Sequence, residues 1–263
     1  MSGTESIDLS RAPLLSHLIE LRRRLLLCLL VFGVAFACCY FVVEHIYHFL
    51  MQPLVTALGE DSGRRMIYTG LHEAFVTYLK LSFFAALFVT LPLMLIQLWR
   101  FIAPGLYLQE KRSVSVLFAL TPVLFIAGAA LAYYVVFPLA WGFFISFETE
   151  AVAGALPVQL EARVSEYLSL VIQLILAFGL SFELPVVLLL MVQMGLLNSA
   201  ALINGRRYAI VGIYAVAAFI TPPDLISQIA LGTPILLLYE ATIWIIRLQE
   251  KRRGQQLQAV QSS

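Results

Sequence analysis

Four carboxylates stand where a carboxylate can do more than solvate a surface: Glu20, Glu110, Glu183 and Asp224. Glu110 ends the stretch FIAPGLYLQE, which begins at Phe101 and runs into Lys111 and Arg112. Pro104 and Gly105 break the incoming helix, because proline has no amide hydrogen and glycine accepts turn geometry. Glu110 then opens the next helix, where free amides and the helix dipole favour a negative charge. A loop with an aromatic and a carboxylate at its edges can receive a cationic peptide, or it can be a well-capped turn. Glu20 lies in HLIELRRR, residues 17–24, with Arg23 and Arg24 at i+3 and i+4. Such pairs add about 0.2–0.5 kcal/mol to a helix, and the three arginines also serve as an orientation signal.

Glu183 sits inside a long apolar run, in SFELP (Ser181–Pro185). A charge at that depth costs about 2.5–3.5 kcal/mol on insertion scales, so it needs a polar partner, water or a proton. Proton carrier, docking point and internal hydrogen bond all remain open. Asp224 closes TPPD (Thr221–Asp224), where it either caps the following helix or serves the outer face. Glu44, His45, His48, His72 and Glu73 have the composition of a metal cluster, but nothing in their spacing places His72 beside the others; they read better as interfacial anchors. No phosphate loop, nucleophile triad or zincin motif occurs. Cys28, Cys38 and Cys39 fall in one apolar run and read as small hydrophobes.

The elements that carry these residues are membrane spans. Of the 263 residues 61% are hydrophobic and 13% charged, with a mean hydropathy of +0.90. Soluble domains are about 45–50% apolar and about 25% charged, so a large soluble domain is excluded. Six segments approach the ~20 apolar residues a span requires: Leu25–Tyr47, Ala74–Leu98, Val114–Pro138, Tyr167–Met194, Tyr208–Ile220 and Ile226–Ile246. The expected architecture is an all-α polytopic bundle, with residues 1–24 a cytoplasmic segment, 25–246 the membrane domain and 247–263 a disordered polar tail. Residues 1–20 lack the apolar core of a cleaved signal.

Charge sets the orientation. Thirteen of the 17 basic residues fall on the side of the N-terminus, among them Arg22–Arg24, Arg100, Lys111, Arg112, Arg206, Arg207 and the run from Arg247 to Arg253. The opposite side has Arg64, Arg65 and Arg163, with Lys80 just inside span two. Both termini are therefore expected in the cytoplasm. Pro92, Pro122, Pro138, Pro185 and Pro234 lie within spans, which predicts a bent, concave bundle. The fifth span is only 13 residues long as bounded above, about 20 Å at ~1.5 Å per residue against a ~30 Å hydrocarbon core. Spans five and six are thus expected to be short and to thin the bilayer.

These stretches together resemble one family, TatC, the multispanning subunit of the twin-arginine protein translocase. The resemblance rests on HLIELR (His17–Arg22) with Arg24, on Pro53, on FIAPGLY (Phe101–Tyr107) with Glu110, on YYVVFP (Tyr133–Pro138), on SFELP and on TPPD, in that order. It implies a receptor rather than an enzyme, in the bacterial inner membrane, without cofactor, metal or nucleic acid. Twin-arginine signal peptides of folded precursors would bind at the cytoplasmic face, and TatB- and TatA-like single-span subunits would assemble with it in an oligomer powered by the proton-motive force. By position, Glu20 and Glu110 would meet the arginine pair with Phe101 beside them, and Glu183 would offer partner helices a polar site. Pro53 and Asp224 would shape or serve the outer face. A proton-coupled transporter using Glu183 is the competing reading; the absence of internal repeats weighs against it.

Overall fold

The computed structural model describes residues 5–59, 66–102, 111–149, 160–221 and 225–261. They form α1 (Glu5–Phe41), α2 (Val43–Leu58), α3 (Glu73–Ile102), α4 (Lys111–Leu131), a π-turn (Ala132–Val136), α5 (Phe137–Ile145), α6 (Val164–Ser181), α7 (Leu184–Gln193), α8 (Ser199–Ile220) and α9 (Leu225–Gln261). No strand occurs among them beyond one isolated bridge between Ile67 and Arg163. A chain in hydrocarbon must satisfy its amides internally, and helices do so.

Among the described residues five segments are long and apolar enough to cross a membrane: His17–Phe41, Glu73–Phe101, Ala119–Ile145, Val164–Gln193 and Ser227–Lys251. Where these bend, proline is the cause. Pro138 has no amide to return to the preceding turn, and the π-turn before it, closed by the Phe137 amide on the Ala132 carbonyl, widens the helix at that place. Pro185 likewise ends the ladder of α6. There Glu183 N–H bonds the Leu180 carbonyl at 3.1 Å and the helix restarts as α7. In α2 the missing amide of Pro53 leaves the Phe49 carbonyl without its usual i+4 donor, and the Tyr133 hydroxyl of the π-turn donates to that oxygen at 2.7 Å. Tyr167 on α6 donates to the neighbouring Leu50 carbonyl at 2.8 Å.

Close backbone approach fixes the centre. A Cβ on Gly128 of α4 would lie 2.5 Å from the Phe178 carbonyl oxygen on α6, so only glycine permits that crossing. One apolar cluster, including Leu54, Phe137, Trp141 and Leu168, joins α2, α5 and α6. A second, with Leu189, Leu190, Leu202 and Ile243, joins α7, α8 and α9. The outer loops are tied together as well. Ile67 N–H bonds the Ala162 carbonyl at 3.2 Å and Val164 N–H bonds the Ile67 carbonyl at 3.1 Å. Glu73 accepts from Thr69 N–H at 2.7 Å, Gly70 N–H at 3.1 Å and the Ser165 hydroxyl at 2.5 Å.

Several expected boundaries change. The first span ends at Phe41 rather than Tyr47, because the chain kinks at Val42. From Glu44 the sequence turns amphipathic, and Val43, Leu50 and Leu54 pack on the body while the polar residues face out. The third span runs on through Pro138 to Ile145, since a proline in the first turn of α5 starts a helix as readily as it ends one. The fifth and sixth helices are not short as helices: α8 has 22 residues and α9 has 37. Only the apolar part of α8 is short, because Arg206 and Arg207 continue that helix as good helix formers, whereas Ser227–Lys251 of α9 is long and apolar enough to cross. The tail expected to be disordered continues α9 as helix to Gln261. Gln, Leu, Ala, Lys and Arg dominate it, and extending an existing helix avoids the nucleation cost.

Candidate functional site

Two of the sequence-selected residues, distant in the chain, meet at one corner. Glu20 lies on α1 and Phe101 in the last turn of α3. His17 connects them: its ring stacks on Phe101 with centroids 4.0 Å apart and an interplanar angle of 12°, and its Nδ1 lies 3.9 Å from the Glu20 carboxylate. Arg24 pairs with Glu20 one turn on and donates to the Gln97 carbonyl of α3 at 3.0 Å. Helical spacing puts His17, Glu20 and Arg24 on one stripe, so a single face of α1 supplies the corner.

A cleft opens beside this corner, lined at its polar end by Glu20, Arg23, Arg24, Gln97 and Arg100 and further along by Leu26, Leu27 and Leu30. One carboxylate there faces three guanidinium groups. The second expected carboxylate, Glu110, lies outside the described residues. The Glu20–Arg24 pair is the i, i+4 contact the spacing predicts, whereas His17 carries no role from sequence and Gln97 gives no signal there. The i, i+3 spacing of His17 and Glu20 was the available signal; the contact with Phe101 was not visible, because it joins two spans.

Glu183 falls at the break between α6 and α7 and is only 3% exposed. Neither carboxylate oxygen finds a hydrogen bond of ordinary geometry. The nearby polar group is the hydroxyl of Thr121 on α4, which interacts with it. Phe182 and Gly128 pack beside the break. A carboxyl covered by its own helices is costly when charged, so the carboxyl and Thr121 form a buried polar pair in an apolar bundle.

Pro53 is buried in α2, at the end of the bundle away from Glu20. Asp224 lies outside the described residues; before it, the Thr221 amide and hydroxyl both bond the Ala217 carbonyl at 2.9 Å and close α8. Arg206 of α8 pairs with Glu240 of α9 at 2.6 Å. Glu250 accepts from the Ser199 amide at 3.0 Å at the start of α8. His45 and His48 are on α2 and His72 precedes α3; among the described residues no three His, Cys, Asp or Glu side chains converge as metal ligands.

Fold and site define a multi-pass helical membrane protein whose polar groups gather at helix ends and breaks. Residues 16–234 match the family Sec-independent protein translocase protein (TatC). A TatC of Magnetococcus marinus is 48% identical over 246 residues, 94% of this chain and 88% of that one. A TatC of Rickettsia prowazekii is 44% identical over 237 residues, 90% of this chain and 93% of that one. A crystal structure of the twin-arginine translocase receptor TatC superposes with a TM-score of 0.73 at 31% identity, covering 88% of this chain and 98% of that one. The chain belongs to the TatC family and is a subunit of the Sec-independent protein translocase.

Proposed function

We propose that this chain is the receptor subunit that binds twin-arginine signal peptides of folded precursors and organises single-span TatB- and TatA-like partners. The observation that carries the reading is the meeting of Glu20 and Phe101 through His17 at the mouth of a cleft with a polar end and a leucine wall. A twin-arginine signal has the same order, a dibasic head followed by an apolar segment. Glu20 is already paired with Arg24, so an incoming arginine must exchange with it. Glu20 and Arg24 are both partly exposed, and such a pair contributes about 0.3–0.5 kcal/mol. An incoming arginine shared between Glu20 and Glu110 makes more charge-assisted hydrogen bonds than Arg24 makes with Glu20 alone, which favours the exchange. Because three cations surround Glu20, the second carboxylate at Glu110 is required to balance the arginine pair, and Arg's planar fork makes the pair distinguishable from lysine.

In this reading the chain crosses the inner membrane six times with both termini cytoplasmic, the fifth crossing being the apolar part of α8 after Arg207. Residues 1–24 and 247–263 then flank the membrane domain on the cytoplasmic side. Glu183 is reached by a partner's membrane helix when α4 and α7 part, and Pro53 and Asp224 shape the outer face. Folded cargo is far wider than one such bundle, so the route requires other chains. The test is binding of a twin-arginine peptide to the purified protein in detergent, against a twin-lysine control. Equal affinity for the two peptides would overturn the receptor reading.

A further inference from the structure

At the end of the molecule away from Glu20 and Phe101, α3 and α6 border a groove of about 590 Å³ whose far wall is Phe219 of α8. Its polarity is graded along both helices. On α3 it passes from Thr77 and Lys80 to Phe84; on α6 it passes from Ser165 and Ser169 to Ile172, Gln173 and Leu176. The outer end is polar, and nearer the membrane centre Gln173 is the one polar side chain among apolar ones.

Lys80 is the unusual member. It lies seven residues into α3, about 10 Å below the helix start at ~1.5 Å per residue, and its side chain is exposed. It is the one basic residue in the outer part of any candidate span among the described residues, and it has no carboxylate within ion-pair distance there. Glu73, at the top of the same helix, is held by Thr69, Gly70 and Ser165. The Ser169 proton is committed to the Ser165 carbonyl at 2.6 Å and the Ser165 proton to Glu73. Two groups at the outer end can act as donors: the ammonium of Lys80 and, one turn before it on the same face of α3, the hydroxyl of Thr77, a residue only 4% exposed. A cation without a carboxylate partner above a mostly apolar trough is complementary to an amphiphile with a negative head.

We propose that this groove binds an anionic phospholipid of the leaflet opposite the Glu20 corner. The phosphate meets Lys80 and Thr77, and one acyl chain lies along Phe84, Ile172 and Leu176. An ammonium in hydrocarbon is unfavourable, and its four-carbon stem lets it rise to headgroup level. A lipid with net negative charge neutralises it there; a zwitterionic lipid brings its own cation. One lysine near an anionic surface corresponds to about a fivefold preference. The proposal goes beyond signal-peptide recognition and needs only the groove.

The test is native mass spectrometry of the purified full chain equilibrated with mixed micelles of phosphatidylglycerol or phosphatidylcholine. Wild type is expected to retain phosphatidylglycerol about fivefold better, Lys80→Arg to keep that preference, and Lys80→Gln to lose it with unchanged helical content by circular dichroism. Ile172→Trp, which fills the trough and leaves the charge, is expected to lower retention of both lipids. Retained preference in Lys80→Gln overturns the proposal. So does displacement of phosphatidylglycerol by inorganic phosphate at equal concentration, which would mean an anion site without a chain-binding trough.

Discussion

Pro53 and Tyr133 are joined through a single atom, the carbonyl oxygen of Phe49. The proline removes the amide that would have bonded it, and the tyrosine hydroxyl supplies the missing proton at 2.7 Å. Stacking of the Phe49 and Tyr133 rings, with centroids 4.5 Å apart, holds the hydroxyl in place. The π-turn that contains Tyr133 is produced by a second proline, Pro138, so two prolines in different segments cooperate on one contact.

This relationship predicts coupling. Tyr133→Phe in the wild type should cost about 1–3 kcal/mol, the penalty of a buried acceptor left alone. In a Pro53→Ala background, where the Phe49 carbonyl regains an amide donor, the same change should cost clearly less. A double-mutant cycle on unfolding in detergent measures it, with an expected interaction of about 0.5–3 kcal/mol. Additive losses would show that the hydroxyl and the proline act independently.

At the inner corner, Glu20→Gln and Glu110→Gln should each weaken binding of a twin-arginine peptide by about 2–5 kcal/mol and erase most of the preference over twin-lysine. The double variant should cost less than the sum, since both carboxylates hold one arginine pair. If Glu110→Gln binds as tightly as wild type in a titration at low and moderate salt, Glu110 is a helix cap worth about 0.3–1 kcal/mol.

Glu183→Ala should weaken association with single-span partners while leaving signal-peptide affinity near wild type. Glu183→Gln, which can still bond Thr121, should be milder. Co-purification and peptide binding separate the two effects. Equal unfolding of both variants would mark the pair with Thr121 as purely structural.

The crossing of α4 and α6 gives a prediction of opposite signs. Gly128→Ala drives a methyl into the Phe178 carbonyl and should destabilise by about 1–3 kcal/mol. Gly142→Ala points into open space within a helix and should stabilise by about 0.5–1 kcal/mol. Thermal melts in one detergent compare them directly.

Spin labels along residues 208–220 should report water closer to the membrane centre than labels on α4. Thirteen residues span about 20 Å, which is less than the ~30 Å of the hydrocarbon core. A dry zone of normal thickness around α8 would refute bilayer thinning.

Much of the architecture was legible because hydrophobic runs and prolines act locally. The apolar lengths marked five of the spans, and of the five prolines expected to bend them Pro138 and Pro185 coincide with breaks while Pro92, Pro122 and Pro234 lie inside unbroken α3, α4 and α9. The end of the first span was misjudged because VVEHIY remains apolar enough to extend a hydropathy run, and only packing of Val43 and Leu50 shows the change of face. The tail was misjudged because polarity says nothing against helix when an upstream helix already supplies the nucleus. At the candidate site, Glu20 and Phe101 could each be picked out from their motifs. Their connection through His17, the hold of Arg24 on Gln97 and the pairing of Arg206 with Glu240 join separate helices, and no local pattern encodes such contacts.

The ties between the two outer loops limit how this body can change shape. With Glu73 bonded to Ser165 and Ile67 bridged to Ala162 and Val164, α3 and α6 are pinned where they leave the membrane on that side. Two rods fastened at one end can splay only at the other. Any widening between them therefore pivots about that rim, and the largest displacements of α3 fall at its far end, near Gln97 and Phe101.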